Sequence, residues 1–175
     1  RDIRVMAIER YAAGGADAAA QKIAGLAGQI DLLFIPEQAD AMPAVAQALT
    51  ANGVDGRKAQ LIGTGLWNDP RVLKLPALQG AWFAAPENGG FNAFAGRYRA
   101  KYGSDPTRIA TLGYDAVSLA AALARSQGTQ RYAPNVLTNA SGFNGADGVF
   151  RLRADGLNDR GLAVLQISNG SASPV

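Results

Sequence analysis

Apolar residues recur along this chain in two rhythms: short dense runs, and longer stretches with three- and four-residue spacing. The clearest passage runs from Asp31 to Trp67. Leu32-Leu33-Phe34-Ile35 is a short apolar run stopped by Pro36. Ala41, Val45, Ala48 and Leu49 then recur at helical spacing up to Gly53, and Leu61-Ile62 feeds directly into Gly63-Thr64-Gly65-Leu66-Trp67. Dense runs bounded by breakers and joined by an amphipathic helix read as parallel strands with a crossover helix. Sheets built this way bind ligands in the crevice beyond the carboxyl ends of their strands. The loops over 36–40 and 64–69 are therefore the first place to look for function.

The same reading extends to both ends. Residues 5–8 predict a short strand, broken by Gly14-Gly15, and Asp17 is the expected cap of the next helix. In that helix Ala19, Ile23, Leu26 and Ile30 form one apolar stripe. Strands are expected over 31–35, 59–62 and 81–84. The helix from about Asp40 tolerates Pro43 in its first turn and ends on Gly53, which suits the left-handed position after a helix. Phe91, Phe94, Ala95, Tyr98 and Tyr102 predict the buried face of another helix, with Arg97, Arg99 and Lys101 opposite and Gly103 at its end. A long apolar helix is expected over 109–126, ended by Gly128, and a short one near 135–139. Alternation in Gly148-Val149-Phe150-Arg151-Leu152-Arg153, a turn at Asp155-Gly156 and an apolar run over 162–167 read as a β-hairpin or an antiparallel pair. The fold class is α/β: a three-layer, Rossmann-like parallel sheet flanked by helices, with a C-terminal β-hairpin.

Composition narrows the chemistry. The 175 residues suffice for one ordinary domain with a real core, and almost half are hydrophobic. The chain has no cysteine and no histidine, so it has no disulfide framework, no thiolate chemistry and no Ser-His-Asp or Cys-His site. The same absence removes the usual zinc ligands. The net charge of +3 comes from scattered basic residues, with no stripe interleaved with aromatics, so nucleic acid is not an expected partner. No apolar run reaches the roughly 18 residues of a membrane span. The chain begins at Arg1-Asp2-Ile3-Arg4-Val5 without Met or a signal-like segment, which predicts a processed or truncated fragment.

Several local words, in order, resemble the type I periplasmic binding proteins of the Leu/Ile/Val-binding family, the substrate-binding components of ABC transporters. They are Gly15-Ala16-Asp17, Asp31-Leu32-Leu33-Phe34-Ile35 and Leu61-Ile62-Gly63-Thr64. The strongest is Phe94-Ala95-Gly96-Arg97-Tyr98-Arg99-Ala100-Lys101-Tyr102-Gly103, followed by Asp105-Pro106 and Gly113-Tyr114-Asp115-Ala116. The stretch from Gly142-Phe143 through Asp147-Gly148-Val149-Phe150 to Asp155-Gly156 is similar to the family's closing hairpin. The resemblance implies two α/β lobes closing on a ligand, of which this chain matches about the second half. Residues 1–105 would be most of the second lobe, incomplete at its N-terminus. Residues 106–160 would return to the first lobe, and 161–175 would be a closing strand and tail.

The resemblance further implies a non-enzymatic, periplasmic solute-binding protein with no cofactor. It would take a small-molecule ligand in the full-length protein and deliver it to a membrane permease, as in amino-acid transport. Amino-acid binders of the family place an acidic residue in the loop after the third strand, where this chain has Thr64-Gly65-Leu66-Trp67 and no carboxylate until Asp69. An unpaired buried ammonium is costly, so this departure argues against an ordinary α-amino acid, with Glu37 as the nearby substitute. The segment 148–165 is also similar to penicillin-binding protein activator lipoproteins. That branch would imply a lipid-anchored precursor and contact with a cell-wall synthase.

Each candidate has a plainer alternative. Gly63-Thr64-Gly65 lacks the third glycine or following Lys-Ser/Thr of a phosphate cradle and reads as a tight strand-to-loop turn. Trp67 reads either as a ring stacked on a ligand or as cover for the core. Glu37 and Gln38 lie just past a strand end, where they can meet a ligand or face water. Tyr114 and Asp115 read as packing and helix initiation, and Asp147 and Asp155 as turn residues. The expected ligand contacts of this lobe are Glu37, Gln38, Thr64, Gly65, Leu66 and Trp67, with backbone amides near Thr64 and Gly65 donating to an anion or carbonyl. An incomplete sheet also leaves an open edge, through which a homodimer or strand exchange is expected.

Overall fold

The computed structural model describes residues 3–175, so Arg1 and Asp2 of the expected run-up to the first strand lie outside the described residues. In chain order the elements are α1 (Ala16–Ala24), β1 (Leu32–Phe34), α2 (Met42–Ala51), β2 (Gln60–Thr64), α3 (Pro70–Leu73) and β3 (Trp82–Ala85). Then follow α4 (Asn88–Tyr102), α5 (Ala110–Ser126), α6 (Pro134–Leu137), β4 (Phe143–Gly145), β5 (Gly148–Leu152), β6 (Asn158–Arg160), β7 (Ala163–Ser168) and β8 (Ser171–Pro174). Packing divides the chain into two compact units, Arg1–Ala85 with Val164–Val175, and Pro86–Ala163.

The first unit carries a five-stranded sheet in the order β1-β2-β3-β7-β8. β1, β2 and β3 are parallel, with Leu33 opposite Leu61 and Gly63 opposite Phe83. β7 and β8 form an antiparallel pair. Alternation along β2 buries Leu61 and Gly63 and leaves Gln60, Ile62 and Thr64 half-buried. Met42, Val45 and Leu49 of α2 join Leu61, Trp67, Val72, Phe83, Leu165 and Ile167 in the core. Pro43 stands in the first turn of α2 and Gly53 follows it at φ +73°, as their residue types predict.

The expected strand over 5–8 is not formed. Val5 and Ile8 are 67% and 72% exposed, and the backbone there joins no ladder. Alternation alone does not make a strand, because each strand needs a partner to take its backbone hydrogen bonds. The helix α1 is shorter than its apolar stripe, ending before Leu26 and Ile30, and Gly15 rather than Asp17 stands at its N-cap. Asp17 instead lies in the first turn, favourably placed in the helix dipole, and accepts a 2.8 Å hydrogen bond from Asn52.

In the second unit α4 runs to Gly103, whose φ of +72° ends it as expected. Phe94 is buried, with the rings of Tyr98 and Tyr114 at 5.9 and 5.1 Å, whereas Tyr102, expected in the core, is 58% exposed at the helix end. The three-stranded sheet β4-β5-β6 contains the expected hairpin, turning at Asp155-Gly156, with 158–160 rather than 162–167 as the partner of β5. β5 pairs with β4 and β6, Phe150 lying opposite both Phe143 and Arg160. Gly156 at φ +83° turns the chain back at once, so the nearest segment, 158–160, becomes the partner. The run over 162–167 instead supplies β7, where Leu165 and Ile167 are buried and Ile167 donates to the Ala81 carbonyl at 2.9 Å. Leu165 and Ile167 need a core face on which to bury, and the sheet of the first unit provides it.

Candidate functional site

Because β1 and β2 are neighbouring and parallel, their carboxyl ends lie at the same end of the sheet. The loop after β1 carries Pro36, Glu37 and Gln38, and β2 ends at Thr64 and passes into a single 3-10 turn, Gly65–Trp67. The fold therefore brings the two sequence-predicted loops to one rim, as the parallel topology requires. The third strand end joins them, with the Gly65 backbone close to Ala84 and Ala85 of β3.

Within this rim the predicted residues divide. Gln38, Gly65 and Leu66 are exposed, and Glu37 and Thr64 are half-buried. The Thr64 hydroxyl accepts from the Leu66 N–H at 3.4 Å, which closes the turn. Trp67 corrects the stacking alternative. Its ring is fully buried against Gly63, where a side chain would collide with the indole. It therefore supports the loop from beneath and offers no face to a ligand. Its indole N–H has no acceptor among the described residues.

Asp69 follows as the N-cap of α3, accepting from the Arg71 backbone N–H at 2.9 Å. The Arg71 guanidinium donates to both of its oxygens and holds its carboxyl below the usual carboxylate range. This acid is thus committed to its own loop. Glu37 is held differently. Its Oε1 accepts from the Gln38 N–H at 2.8 Å and its Oε2 from the Tyr11 hydroxyl at 2.7 Å. Burial, the hydrogen bond to Glu37 and the carboxylate's charge push the Tyr11 phenol up to about 12. Nothing local in the sequence marks Tyr11. It stands 26 positions before its partner, in a segment whose periodicity predicts only a strand and a break.

Chemically, the rim offers a carboxylate, an amide side chain, a hydroxyl and one exposed apolar side chain, which are groups for holding a polar molecule. Among the described residues no group of three or more His, Cys, Asp or Glu side chains is placed to hold a metal ion, and no helix is long and apolar enough to cross a membrane.

The second unit holds the other polar cluster. The Arg108 guanidinium donates to Asp147 Oδ2 at 3.0 Å and the Thr111 hydroxyl donates to the same oxygen at 2.5 Å. The Ala146 N–H donates to Asp115 Oδ1 at 2.7 Å. Both acids are buried, at 5% and 3% exposure, and a methyl on Gly145 would meet the Asp115 carboxylate. These groups lock the turn between β4 and β5 onto α5, in keeping with the packing expected of Asp115 and the turn expected of Asp147.

Comparison with known proteins adds the following. A family model described as periplasmic binding protein matches residues 2–172. Among solved structures, a branched-chain amino acid ABC transporter protein from Rhodospirillum rubrum is 21% identical with a TM-score of 0.73, over 91% of this chain and 48% of the other. The leucine binding protein LivK from Thermotoga maritima is 20% identical at 0.66, over 94% and 49%. LpoA of Haemophilus influenzae is 13% identical at 0.58, over 95% and 30%. The chain thus spans about half the length of the first two structures it matches or less of the third. No curated protein matches it by sequence.

Proposed function

The chain belongs to the periplasmic binding protein family, and on that premise we propose that its sheet-end loops form one wall of a cleft for a small polar molecule. Glu37, Gln38, Thr64, Gly65 and Leu66 are the wall's contacts, and Trp67 supports them from below. The carrying observation is the convergence of two unlike loops on one rim, with Glu37 oriented there by Tyr11 and Gln38. In a protein of double length the second wall would come from another lobe, and hinge closure would trap the ligand for an ABC transporter permease outside the cytoplasm.

The test is a thermal-shift screen of small polar solutes, on a protein carrying both lobes, followed by titration of the hits. A solute at about a hundredfold its Kd should stabilise by about 2.7 kcal/mol. Glu37→Gln or Leu66→Asp should remove that gain. Hits indifferent to both substitutions would overturn the assignment of this wall.

A second reading, regulation of a cell-wall synthase by protein contact, draws on α5. That helix exposes Val117 by 70% and Leu112 by 49%, with Ile109 just before it exposed by 70%. Val117→Asp should abolish capture of such a partner and leave solute binding unchanged. The open edge of β1, with Leu32 and Phe34 about half exposed, supports self-association, which sedimentation would read.

A further inference from the structure

We propose that Asn169, at the tip of the β7–β8 hairpin, is a site of spontaneous covalent modification, deamidating through a succinimide to aspartate and isoaspartate. The isoaspartate form unfastens β8 from the sheet of the first unit.

The chemistry is that of Asn-Gly pairs. The glycine backbone nitrogen attacks Cγ of the asparagine side chain and closes a five-membered imide. The Cγ–Nδ2 bond breaks and ammonia leaves. Water then opens the imide at either carbonyl. One opening gives aspartate, and the other gives isoaspartate, whose main chain runs through the former side chain and gains one carbon. Glycine is the favoured neighbour because no side chain crowds its nitrogen.

The sequence holds four such pairs, beginning at Asn52, Asn88, Asn144 and Asn169, and the fold ties down three of them. Asn52 is the C-cap of α2, and its side-chain amide donates to Asp17 Oδ1 at 2.8 Å and to the Ala48 carbonyl at 2.9 Å. The Gly53 N–H is also engaged, donating to the Thr50 carbonyl. Asn88 and Gly89 lie in the first turn of α4, where the helix fixes their backbone. Asn144 and Gly145 pair with Val149 and Gly148 in the β4–β5 ladder, and Gly145 packs against the Asp115 carboxylate.

Asn169 is placed differently. It is exposed, and among the described residues neither its side chain nor the Gly170 N–H makes a hydrogen bond. Asn169 and Gly170 form the two-residue turn between Ser168 and Ser171, both at positive φ, +51° and +76°, as in a type I′ hairpin. β8 is the last strand of its sheet, so this tip opens locally at small cost and lets the nitrogen reach the side chain.

The consequence follows from the turn. Its twist matches the strands only with two residues of ordinary backbone length, which isoaspartate does not supply. Aspartate does, because Asp-Gly forms the same turn. β8 covers the outer edge of β7, with Ile167 opposite Ala172 and Leu165 opposite Pro174. Leu165 and Ile167 are core residues, so isoaspartate at 169 bares the edge of an apolar strand. The plainer reading is a turn pair suited to its backbone and nothing more, which the folded chain protects as well as the other three.

The experiment ages the 175-residue chain in mildly alkaline buffer, folded and in denaturant, and follows each pair by peptide mass after trypsin cleavage. Cleavage after Arg160 isolates 161–175, in which Asn169 is the sole asparagine. In the folded chain we expect deamidation there about tenfold faster than at the other pairs, and comparable rates at all four in denaturant. An isoaspartate-specific methyltransferase identifies the product. Hydrogen exchange at the amides of 164–173 should quicken in the aged chain and stay at the parent rate in Asn169→Asp, which has the charge without the extra carbon. If Asn169 reacts no faster than the other three in the folded chain, the site falls. A preference that persists in denaturant assigns it to neighbouring residues and overturns the role of the fold. If aged and parent hairpins exchange alike, or Asn169→Asp loosens the hairpin as much, the unfastening falls.

Discussion

Glu37 and Asp147 are both acids in loops, yet their surroundings differ sharply. Asp147 is 95% buried, shares one oxygen between Arg108 and Thr111, and sits in a turn whose flanking glycines admit no side chain at Gly145. Its surroundings neutralise it, so it holds a turn in place. Glu37 is half-buried, accepts only neutral donors among the described residues and stands at the rim of a parallel sheet. What separates the two acids among the described residues is the partner set, with a cation for Asp147 and only neutral donors for Glu37.

Substitutions sharpen this contrast, and the largest effect is expected at the sealed cluster. Asp147→Ala leaves the mostly buried Arg108 guanidinium without its counter-charge and should cost about 3 kcal/mol of stability in denaturant unfolding, without altering the rim. A cost below about 0.5 kcal/mol would show that the cluster is no more than a surface pair. Next, Gly63→Ala forces a methyl into the Trp67 ring and should cost about 2 kcal/mol, with a change in tryptophan emission as the indole is displaced. Unchanged emission would contradict the support role given to Trp67.

A smaller loss is expected from Asp69→Ala, about 1 kcal/mol, because α3 loses its N-cap. The Asp69 carboxyl is held below its ordinary range in the folded protein, chiefly by the Arg71 side chain. Its stabilisation is therefore present above the unfolded-state pKa and is lost as pH falls through the lower folded-state value. A parent and an Asp69→Ala variant whose stabilities converge as pH falls below the ordinary carboxylate range would bear this out.

Smallest in stability is Tyr11→Phe, expected within about 0.5 kcal/mol at neutral pH. Tyr11 has a raised folded-state value, so its hydrogen bond contributes fully below pH 10 and is lost as pH rises toward 12. The parent should therefore lose stability relative to the variant as pH rises from 10 toward 12. A Tyr11→Phe variant as damaged as Asp147→Ala would erase the distinction between the two acids.

Much of the fold was legible in the residue pattern because it depends on near neighbours. The apolar runs that became β1, β2 and β3, Pro43 at the head of α2, and the left-handed glycines at 53 and 103 all express local rules of backbone and burial. Two dense runs joined by one helix also foretold which loops would share a rim, since parallel strands bring their carboxyl ends to the same side. Pairing was not legible, because it depends on which distant segment supplies hydrogen bonds and cover. That is why the alternation over 5–8 made no strand, while 158–160, with little apolar character, did. The same physics made Trp67 a core residue, joined Tyr11 to Glu37 across 26 positions, and gave Asp147 its cation from 39 positions away. Sequence alone set the periods, the breakers and the residue types at the rim. Only tertiary packing decided which partner each charge received.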